Sequence, residues 1–439
     1  MNEKLASMPP QAAALIADAR AAATQGRIAE AETRYQRLLE IDPSSTEALN
    51  FLAMVRLAQQ QPLRAVELLD RARAADPANA ETHKSLGLAW RAAGDLERSV
   101  QALAEAVRLD PDYFVARLHL GISLEASGRR DDAVPCFFRA VRNAQAQGLW
   151  LNQATTPPGL RNVVLEAMRS VDTGRRRLFD GAIAPLRTRY GAAELKRVEQ
   201  ALAIYLDEMP AHYPDPRQRA LFLYFPGLAS QPYYERERFP WLATLERETD
   251  AIRTELLDML AAERGFEPFL RFHTPKEVED YLRGKDGDQG WQAFFFYRHG
   301  ERRDDNCARC PHTAAVLDSA PVVRIREHAP EALFSVLTPG AHILPHRGVT
   351  NTRLVTHLPL VVPPDCALRV GGIDHAWQEG RCVVFDDTYE HEAWNRSDRT
   401  RVVLIFDVWH PDLTEVERAA VTDLVGAIGD FNNAAGTNR

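Results

Sequence analysis

The dipeptide Asp-Pro recurs at a constant spacing in the first third of the chain. Its copies begin at Asp42, Asp76 and Asp110, which are 34 residues apart. Small residues recur with the same period at Ala31, Ala65, Ser99 and Ala133. A fixed period of this length predicts stacked helical hairpins, since one hairpin cannot bury its apolar face alone. The proline ends the second helix of each hairpin, because it lacks the N–H that a helix interior needs.

This pattern resembles the tetratricopeptide repeat. We count four units within residues 12–147, at 12–45, 46–79, 80–113 and 114–147. Arrays of this kind have a concave surface that binds peptides or proteins. We therefore expect the repeats to recruit a peptide or protein partner. The alternative is that the array only packs on the rest of the chain or forms a dimer, and the oligomeric state stays open.

Composition excludes several classes of protein. A net charge of -8 in 439 residues disfavours a general nucleic-acid binder. No stretch of 18 apolar residues is present, so we expect no membrane span. The first ten residues lack the apolar segment of a secretory signal, and five cysteines do not make a disulfide framework. The expected location is the cytoplasm.

The middle of the chain connects two differently patterned regions. Residues 148–160 are rich in Gly, Thr and Pro and indicate a boundary. Residues 148–220 are predicted to form a helical bridge, and a further helix is predicted from Leu242 to about Arg264. Cys307 and Cys310 form an isolated CxxC, which is weak evidence for zinc; a reversible disulfide or plain loop thiols are the preferred interpretations.

The last third switches to short apolar runs separated by Gly and Pro, which predict strands. The predicted strands are Trp291–Tyr297, Leu333–Leu337, Leu354–Val362, Ala367–Val370, Cys382–Phe385 and Val402–Val408. Histidine is concentrated here. A small, histidine-rich β structure predicts a jelly roll of the cupin type with a metal in its mouth, and imidazole ligands suit iron. The expected fold class is therefore a multidomain α+β protein, with an α-helical repeat solenoid followed by a β jelly roll.

Four segments carry a second resemblance. They are HRGVTNTRLVTHL at 346–358, WQEG at 377–380, FDDTYEHE at 385–392 and FDVWHP at 406–411. Together they resemble the aspartyl/asparaginyl β-hydroxylase family of Fe(II)- and 2-oxoglutarate-dependent dioxygenases. The similarity extends over about 221–414, which we take as the dioxygenase domain. Residues 415–439 are expected to form a C-terminal helix and a flexible tail.

The resemblance implies specific roles. His346 and His391 would bind Fe(II), and Gly348 stands where many related dioxygenases have an acidic ligand. Arg401 would hold the distal carboxylate of the cosubstrate 2-oxoglutarate, a task that suits a guanidinium. Ser335 would hydrogen-bond the same carboxylate, and His357 would lie beside the cosubstrate. The implied reaction uses O₂ and couples decarboxylation of 2-oxoglutarate to hydroxylation of a substrate C–H bond.

One position departs from the family pattern. Family members with acidic substrates often have a second arginine where this chain has Val355, so an aspartyl substrate is less certain. Arg353 is the candidate that would bind the substrate in its place.

Some alternatives stay open from the residues alone. Arg401 has an alternative role as the partner of Asp386 or Asp387 in a buried ion pair, although paired aspartates before a loop more commonly cap a turn.

Three functions remain in competition at this point. A peptidyl Asp/Asn-like hydroxylase is preferred. The alternatives are a repeat scaffold with an inactive barrel, or a hydroxylase of a free amino acid or a lipid acyl chain.

Overall fold

The computed structural model of the protein describes residues 10–270, 275–284 and 287–437. The last two residues of the predicted C-terminal tail therefore lie outside the described residues. The chain divides into two compact units. One comprises the described residues up to Leu178 together with those from Asp430 onward, and the other comprises Phe179–Gly429.

The first unit is built from antiparallel helix pairs. Within its described residues these pairs are α1 (Pro10–Thr24) with α2 (Ile28–Ile41), α3 (Thr46–Ala58) with α4 (Pro62–Ala75), α5 (Ala80–Ala92) with α6 (Leu96–Leu109), and α7 (Phe114–Ala126) with α8 (Arg130–Ala146). The small and apolar residues of the repeat pattern form the interior, and Ala65, Leu69 and Ala72 are fully buried. The 34-residue period in the sequence is therefore a period of helical hairpins.

The turn inside each hairpin explains a second periodic feature. Gly26, Gly94 and Gly128 occupy it with φ of 72°, 85° and 84°, a left-handed conformation that glycine adopts without steric cost. In the second hairpin the same place is taken by Gln60, with φ of 59°. A side chain in this conformation costs about 1–2 kcal/mol. Gln60 is therefore a strained position in an otherwise regular array.

The next helices differ in part from the sequence expectation. Helices α9 (Arg161–Tyr190) and α10 (Lys196–Tyr205) lie where a helical bridge was expected. The single helix predicted from Leu242 to Arg264 is instead two helices, α11 (Leu242–Arg247) and α12 (Thr249–Ala262). Between them Glu248 has φ of -86° and ψ of 0°, which interrupts the helical path.

The second unit also contains shorter helices around a β structure. They are α13 (Pro275–Tyr281), α14 (Asp304–Arg309) and α15 (Pro311–Ser319). Helix α16 (Glu415–Ala435) follows the strands, and its residues from Asp430 onward belong to the first unit. Cys307 lies in α14 and Cys310 directly after it, both buried with free thiols. The two thiols are free, as one of the two interpretations expected, but Cys307 lies in a helix and not in a loop. The two side chains belong to an apolar cluster that also contains Phe296 and Phe334.

Two antiparallel sheets form the centre of this unit. Their strands are β1 (Glu267–Pro268), β2 (Leu282–Arg283), β3 (Trp291–Arg298), β4 (Glu301–Arg302), β5 (Ala332–Leu337), β6 (His342–His346), β7 (Arg353–Val361), β8 (Cys366–Val370), β9 (Ile373–His375), β10 (Val383–Phe385), β11 (His391–Asn395) and β12 (Arg401–Trp409). In the described part of the chain the larger sheet has the order β1-β3-β5-β12-β7-β10, with β4 paired to β3. The smaller sheet has the order β2-β6-β11-β8-β9.

The two sheets share one apolar core. Leu337, Phe385 and Val403 from the larger sheet cluster with Leu368 and Ala393 from the smaller sheet. Alternate residues of a strand point to opposite faces of the sheet. The faces that point into the space between the two sheets present polar residues as well as apolar ones. Helical repeats followed by antiparallel sheets confirm the predicted fold class, while its jelly-roll topology stays a prediction. Among the described helices, none combines the length and apolarity needed to cross a membrane.

The strain at Gln60 gives a first testable prediction. Replacing Gln60 with Gly removes the steric cost of a left-handed side chain, so the thermal unfolding midpoint of the full chain should rise. The expected gain is about 1 kcal/mol or less, because glycine also has more conformational entropy to lose on folding.

The matched control is the same substitution one residue earlier. Gln59 has φ of -85°, which any residue adopts, so Gln59→Gly should lower the midpoint. If both substitutions changed the unfolding midpoint by the same amount in the same direction, Gln60 would not be a strained position.

Candidate active site

Two histidines predicted as metal ligands lie side by side in the smaller sheet. His346 ends β6, His391 begins β11, and the two residues are direct partners across the strand pair. Their ring centroids are 4.0 Å apart. The sequence analysis predicted neither strand. The pairing of β6 with β11 brings together imidazoles that are far apart in the chain.

The backbone determines which nitrogen of each ring carries the proton. Nδ1 of His346 lies 2.8 Å from the carbonyl oxygen of Leu344, and Nδ1 of His391 lies 3.1 Å from that of Tyr389. A carbonyl oxygen only accepts, so both Nδ1 atoms donate and both Nε2 atoms keep a free lone pair. Burial lowers the pKa of His346 and lowers that of His391 to about 3. Both rings are therefore neutral and have the tautomer that binds a transition metal through Nε2.

A carboxylate lies close to this pair although none follows His346 in the sequence. A Cβ atom added to Gly348 would meet the carboxyl carbon of Asp387 at 2.1 Å. The Asp387 side chain thus fills the space that a side chain at position 348 would need. Asp387 is 7% exposed, and its Oδ1 atom is buried without a hydrogen-bond partner. It is not close enough to make a third ligand, since no three His, Cys, Asp or Glu side chains are grouped as a metal site among the described residues.

The paired aspartates therefore divide into two roles. Asp386 accepts hydrogen bonds from the backbone N–H and the hydroxyl of Thr388, as expected for an aspartate that caps a turn. Asp387 lies in the same turn, as expected, but its carboxylate makes no such bond to Thr388. The place of the Asp387 side chain in the site is seen only from its close approach to Gly348 in the structure.

Arg401 is a buried cation without a counter-charge. It is 1% exposed, and its NH1 group donates to the carbonyl oxygen and the hydroxyl of Ser335 at 3.3 and 3.4 Å. The guanidinium lies 4.9 Å from the ring centroid of Trp377, and its Nε atom has no partner. Burial lowers the pKa of Arg401 to about 10, and no neighbouring carboxylate opposes this shift. The alternative ion pair with Asp386 or Asp387 is not formed.

Neighbouring groups hold this site in place. Trp291 Nε1 donates to the Ser335 hydroxyl at 3.1 Å, which orients that hydroxyl. His357 is 6% exposed and lies between the rings of Phe385 and Trp377, at centroid distances of 5.0 and 5.9 Å. Burial holds the pKa of His357 well below its usual value, and its Nδ1 atom has no partner. The neutral imidazole therefore has one buried nitrogen available to a ligand.

All six residues predicted for the site line one cavity of about 150 Å³. They are Ser335, His346, Arg353, His357, His391 and Arg401. Apolar side chains line the same cavity, including Phe269, Trp291, Ile343, Val355 and Phe385. A water-poor cavity strengthens every electrostatic interaction inside it.

Arg353 is already engaged inside the cavity. Its guanidinium forms an ion pair with Asp407 and lies 3.9 Å from the carboxylate of Asp387. Asp407 in turn accepts the backbone N–H of Glu331 at 2.9 Å. Arg353 therefore differs from Arg401, whose charge is unmatched. Its predicted role in substrate binding stays a prediction.

Sequence reasoning missed three contributors to the site. Asp387 was assigned to a turn, Trp291 was placed on a strand without a role, and Trp377 appeared only within a quoted motif. Their contacts join segments that are distant in the sequence, so spacing alone contains no signal for them.

Comparison with known proteins was made for the whole chain. A family model described as aspartyl/asparaginyl beta-hydroxylase matches residues 246–411, and one for the tetratricopeptide repeat matches 16–80 and 52–114. A mouse relative, aspartate beta-hydroxylase domain-containing protein 2, is 32% identical over 250 residues, which is 55% of this chain and 68% of the relative. The chain belongs to the aspartyl/asparaginyl beta-hydroxylase family. Its N-terminal helix pairs are tetratricopeptide repeats.

Two further relatives of this family member have different printed activities. An ornithine lipid ester-linked acyl 2-hydroxylase of Rhizobium tropici is 35% identical over 44% of this chain and 65% of its own length. The human aspartyl/asparaginyl beta-hydroxylase is 33% identical over 48% of this chain and 26% of its own length. The chain thus spans less than two thirds of these two relatives, which share a hydroxylase region with it.

The approach of Asp387 to Gly348 gives a second prediction. Gly348→Ala should destabilise the metal-free protein by about 1–3 kcal/mol, because the new methyl group overlaps the Asp387 carboxyl group. The measurement is the thermal or urea unfolding of the purified protein without metal.

A double-mutant cycle supplies the control. In an Asp387→Ala background the overlap is gone, so Gly348→Ala should cost much less than in the wild type. Strictly additive effects of the two substitutions would show that Asp387 does not occupy this space.

Proposed function

We propose that this family member is an Fe(II)- and 2-oxoglutarate-dependent dioxygenase that hydroxylates a side chain of a peptide or protein recruited by its repeats. One observation carries the proposal. A fully buried guanidinium without a counter-charge lies in the same cavity as two neutral imidazoles whose Nε2 atoms are free. A cavity with a metal-binding pair and an anion-binding cation suits a cosubstrate that has a carboxylate at its far end.

The two histidines fit an iron ion by their chemistry. His346 and His391 would hold it through Nε2, since both Nδ1 atoms are occupied by backbone carbonyls. Bound iron would supply the site at which O₂ is reduced and the C–H bond is oxidised. Asp387, with one unpartnered carboxylate oxygen, is placed to accept a hydrogen bond from a water near that site.

Arg401 and Ser335 would bind the distal carboxylate of 2-oxoglutarate. A guanidinium offers two parallel N–H donors, which match the two oxygens of a carboxylate. In this structure Ser335 already bonds to both Arg401 and Trp291, so its hydroxyl is held in place. The Nδ1 atom of His357 would contact the cosubstrate between Arg401 and the metal pair.

The remaining residues shape the substrate end of the cavity. Arg353, held by Asp407, would orient a polar group of the substrate rather than supply a free charge. Phe269 and Phe385 exclude water, which protects the reacting centre. An Asp/Asn-like side chain is the preferred substrate, because the repeats suit peptide recruitment and the human relative is named for that activity.

An acyl chain is the second candidate substrate. Val355, 8% exposed, gives the cavity an apolar wall, and the Rhizobium tropici relative is named as an acyl 2-hydroxylase. Mass spectrometry after turnover would separate the candidates: a 16 Da gain on a peptide supports the first, and the same gain on an acyl chain supports the second.

The unmatched charge of Arg401 gives a third prediction. Arg401→Met removes a buried cation while keeping much of the side-chain volume, so the protein without ligands should be as stable as the wild type or more stable. Binding of 2-oxoglutarate should weaken by about 2–5 kcal/mol, because the anion loses its charged partner. Calorimetry and thermal unfolding measure both quantities.

Arg353→Met is the matched control. It leaves Asp407 as a buried carboxylate without its partner, so the free energy of unfolding should fall by about 3–5 kcal/mol. If Arg401→Met also destabilised the ligand-free protein by this amount, Arg401 would have a structural role and would not be an anion-binding residue.

The metal pair gives a fourth prediction. Purified protein mixed with Fe(II) and 2-oxoglutarate without oxygen should show the weak visible absorption band of a chelated iron–oxoacid complex. His391→Ala should abolish this band. His342→Ala should keep it, because His342 lies on the same strand as His346 but pairs with Glu392. Absence of the band in the wild type, together with no affinity for 2-oxoglutarate, would favour a binding scaffold over an enzyme.

A further inference from the structure

The repeats have a line of apolar residues with a strict period. Met54, Leu88 and Ile122 occupy the same position in the first helices of three successive hairpins, α3, α5 and α7. Met54 is 40% exposed, and the other two are partly exposed. Each repeat of such an array packs on its neighbours, so equivalent positions follow one another along it. These three partly exposed side chains therefore form an apolar stripe along the array, which we call the repeat stripe.

A basic residue lies beside the repeat stripe. Arg91 is three residues after Leu88, so the two side chains share one face of α5. Its guanidinium donates to the carbonyl oxygen and the Nδ1 atom of His119, both at 3.3 Å, and to the hydroxyl of Ser123 at 3.5 Å. All three acceptors are uncharged, and the hydrogen bonds are long. Burial lowers the pKa of Arg91, and no carboxylate acts against this shift.

Three other basic residues of the repeats are paired with carboxylates. Arg56 lies 2.8 Å from Glu32, Lys84 lies 2.5 Å from Glu81, and Arg98 lies 3.4 Å from Asp95. Across the described part of the repeats, no carboxylate oxygen comes within 4.0 Å of Arg91. The charge of Arg91 is therefore unmatched, as is that of Arg401 in the other unit.

His119 adds a second donor at this place. Arg91 cannot accept a hydrogen bond, so Nδ1 of His119 is the acceptor and the ring proton is on Nε2. Burial, together with the positive charges of Arg91 and Lys84, lowers the pKa of His119 to about 3. The site thus offers N–H donors in a positive potential, which is the character of an anion site.

We propose that Arg91 and His119 bind a single carboxylate of an acidic peptide segment whose apolar side chains cover the repeat stripe. The number of unmatched positive charges favours an acidic peptide over a more highly charged partner. Lys84 is already neutralised by Glu81, so of the two cations that act on His119 only Arg91 has an unmatched charge. A membrane surface or a polyphosphate needs several such charges. The stripe also extends over three hairpins, which suits an extended chain better than a compact ion.

This inference rests on the recruiting role proposed for the repeats, and not on the oxidation chemistry. Peptide binding can be measured without iron or 2-oxoglutarate. Failure of one claim therefore leaves the other intact.

The test uses the full chain and a fluorescein-labelled nine-residue peptide of alternating leucine and glutamate. A counterpart with glutamine in place of glutamate has the same apolar residues and no side-chain charge. Fluorescence anisotropy should show at least tenfold tighter binding of the glutamate peptide, and this preference should shrink as salt is raised. This comparison needs no variant, so it does not depend on a variant that folds.

Variants then locate the site. Arg91→Gln should reduce the preference for glutamate to about twofold or less. Arg98→Gln removes the same charge from a paired and exposed residue of the next helix, and it should keep the preference. Leu88→Ser should weaken both peptides by a similar factor. Affinity for 2-oxoglutarate should be unchanged in all three variants.

Three results would overturn the inference. They are equal binding of the two peptides to the wild type, equal loss of preference in Arg91→Gln and Arg98→Gln, and Arg91-dependent binding of phosphatidylglycerol vesicles by a protein that ignores the glutamate peptide. Loss of 2-oxoglutarate affinity in His391→Ala alone would bear only on the proposed reaction.

Discussion

The positive charge of Arg401 has no partner among the described residues, and it is buried between Ser335 and Trp377. A buried ion of this kind is costly, because it loses its hydration and gains little in return. A fold retains such a group when a ligand supplies the missing charge. Strand β5 places Ser335 and strand β12 places Arg401 in the cavity, which aromatic side chains such as Phe269, Trp291 and Phe385 also line. The unmatched charge of Arg401 supports the proposed function more directly than any sequence motif does.

His346 and His391, the proposed metal ligands, likewise have ring atoms without a partner. The backbone carbonyl oxygens two residues before His346 and His391 accept hydrogen bonds from the Nδ1 atoms of the two rings. The Nε2 atom of each ring therefore keeps its lone pair for a ligand. Asp387 occupies the volume that Gly348 leaves open. In the first unit, Arg91 is likewise a cation whose hydrogen bonds are long and go only to uncharged groups. Unmatched polar atoms thus mark the three places at which we propose that the protein binds a ligand.

Periodicity allowed much of this protein to be predicted from its sequence. The repeats were predictable because one apolar pattern returns every 34 residues, and each hairpin must bury the same face. Strands β3, β5, β7 and β12 were predictable because they are long apolar runs bounded by Gly and Pro. Strands β6 and β11 were missed, although they hold both histidines that we propose as metal ligands. Each is short and mixes polar with apolar residues, and each is stabilised by the other across the sheet. The roles of Asp387 and Trp377 were missed for a related reason, since their contacts join segments that no local pattern connects.

Binding of the cosubstrate carboxylate by Arg401 is tested most directly by a comparison of two ligands. Calorimetry with Mn(II)-loaded protein would measure the affinities of 2-oxoglutarate and of 2-oxopentanoate, in which a methyl group replaces the distal carboxylate. Both compounds chelate a metal in the same way, so the difference in their affinities reports on the distal carboxylate alone. We expect 2-oxoglutarate to bind more tightly by about 2–5 kcal/mol, the range found for a charge that pairs with a buried partner. Equal affinities would show that Arg401 does not receive the cosubstrate, and the proposed reaction would then lack its structural basis.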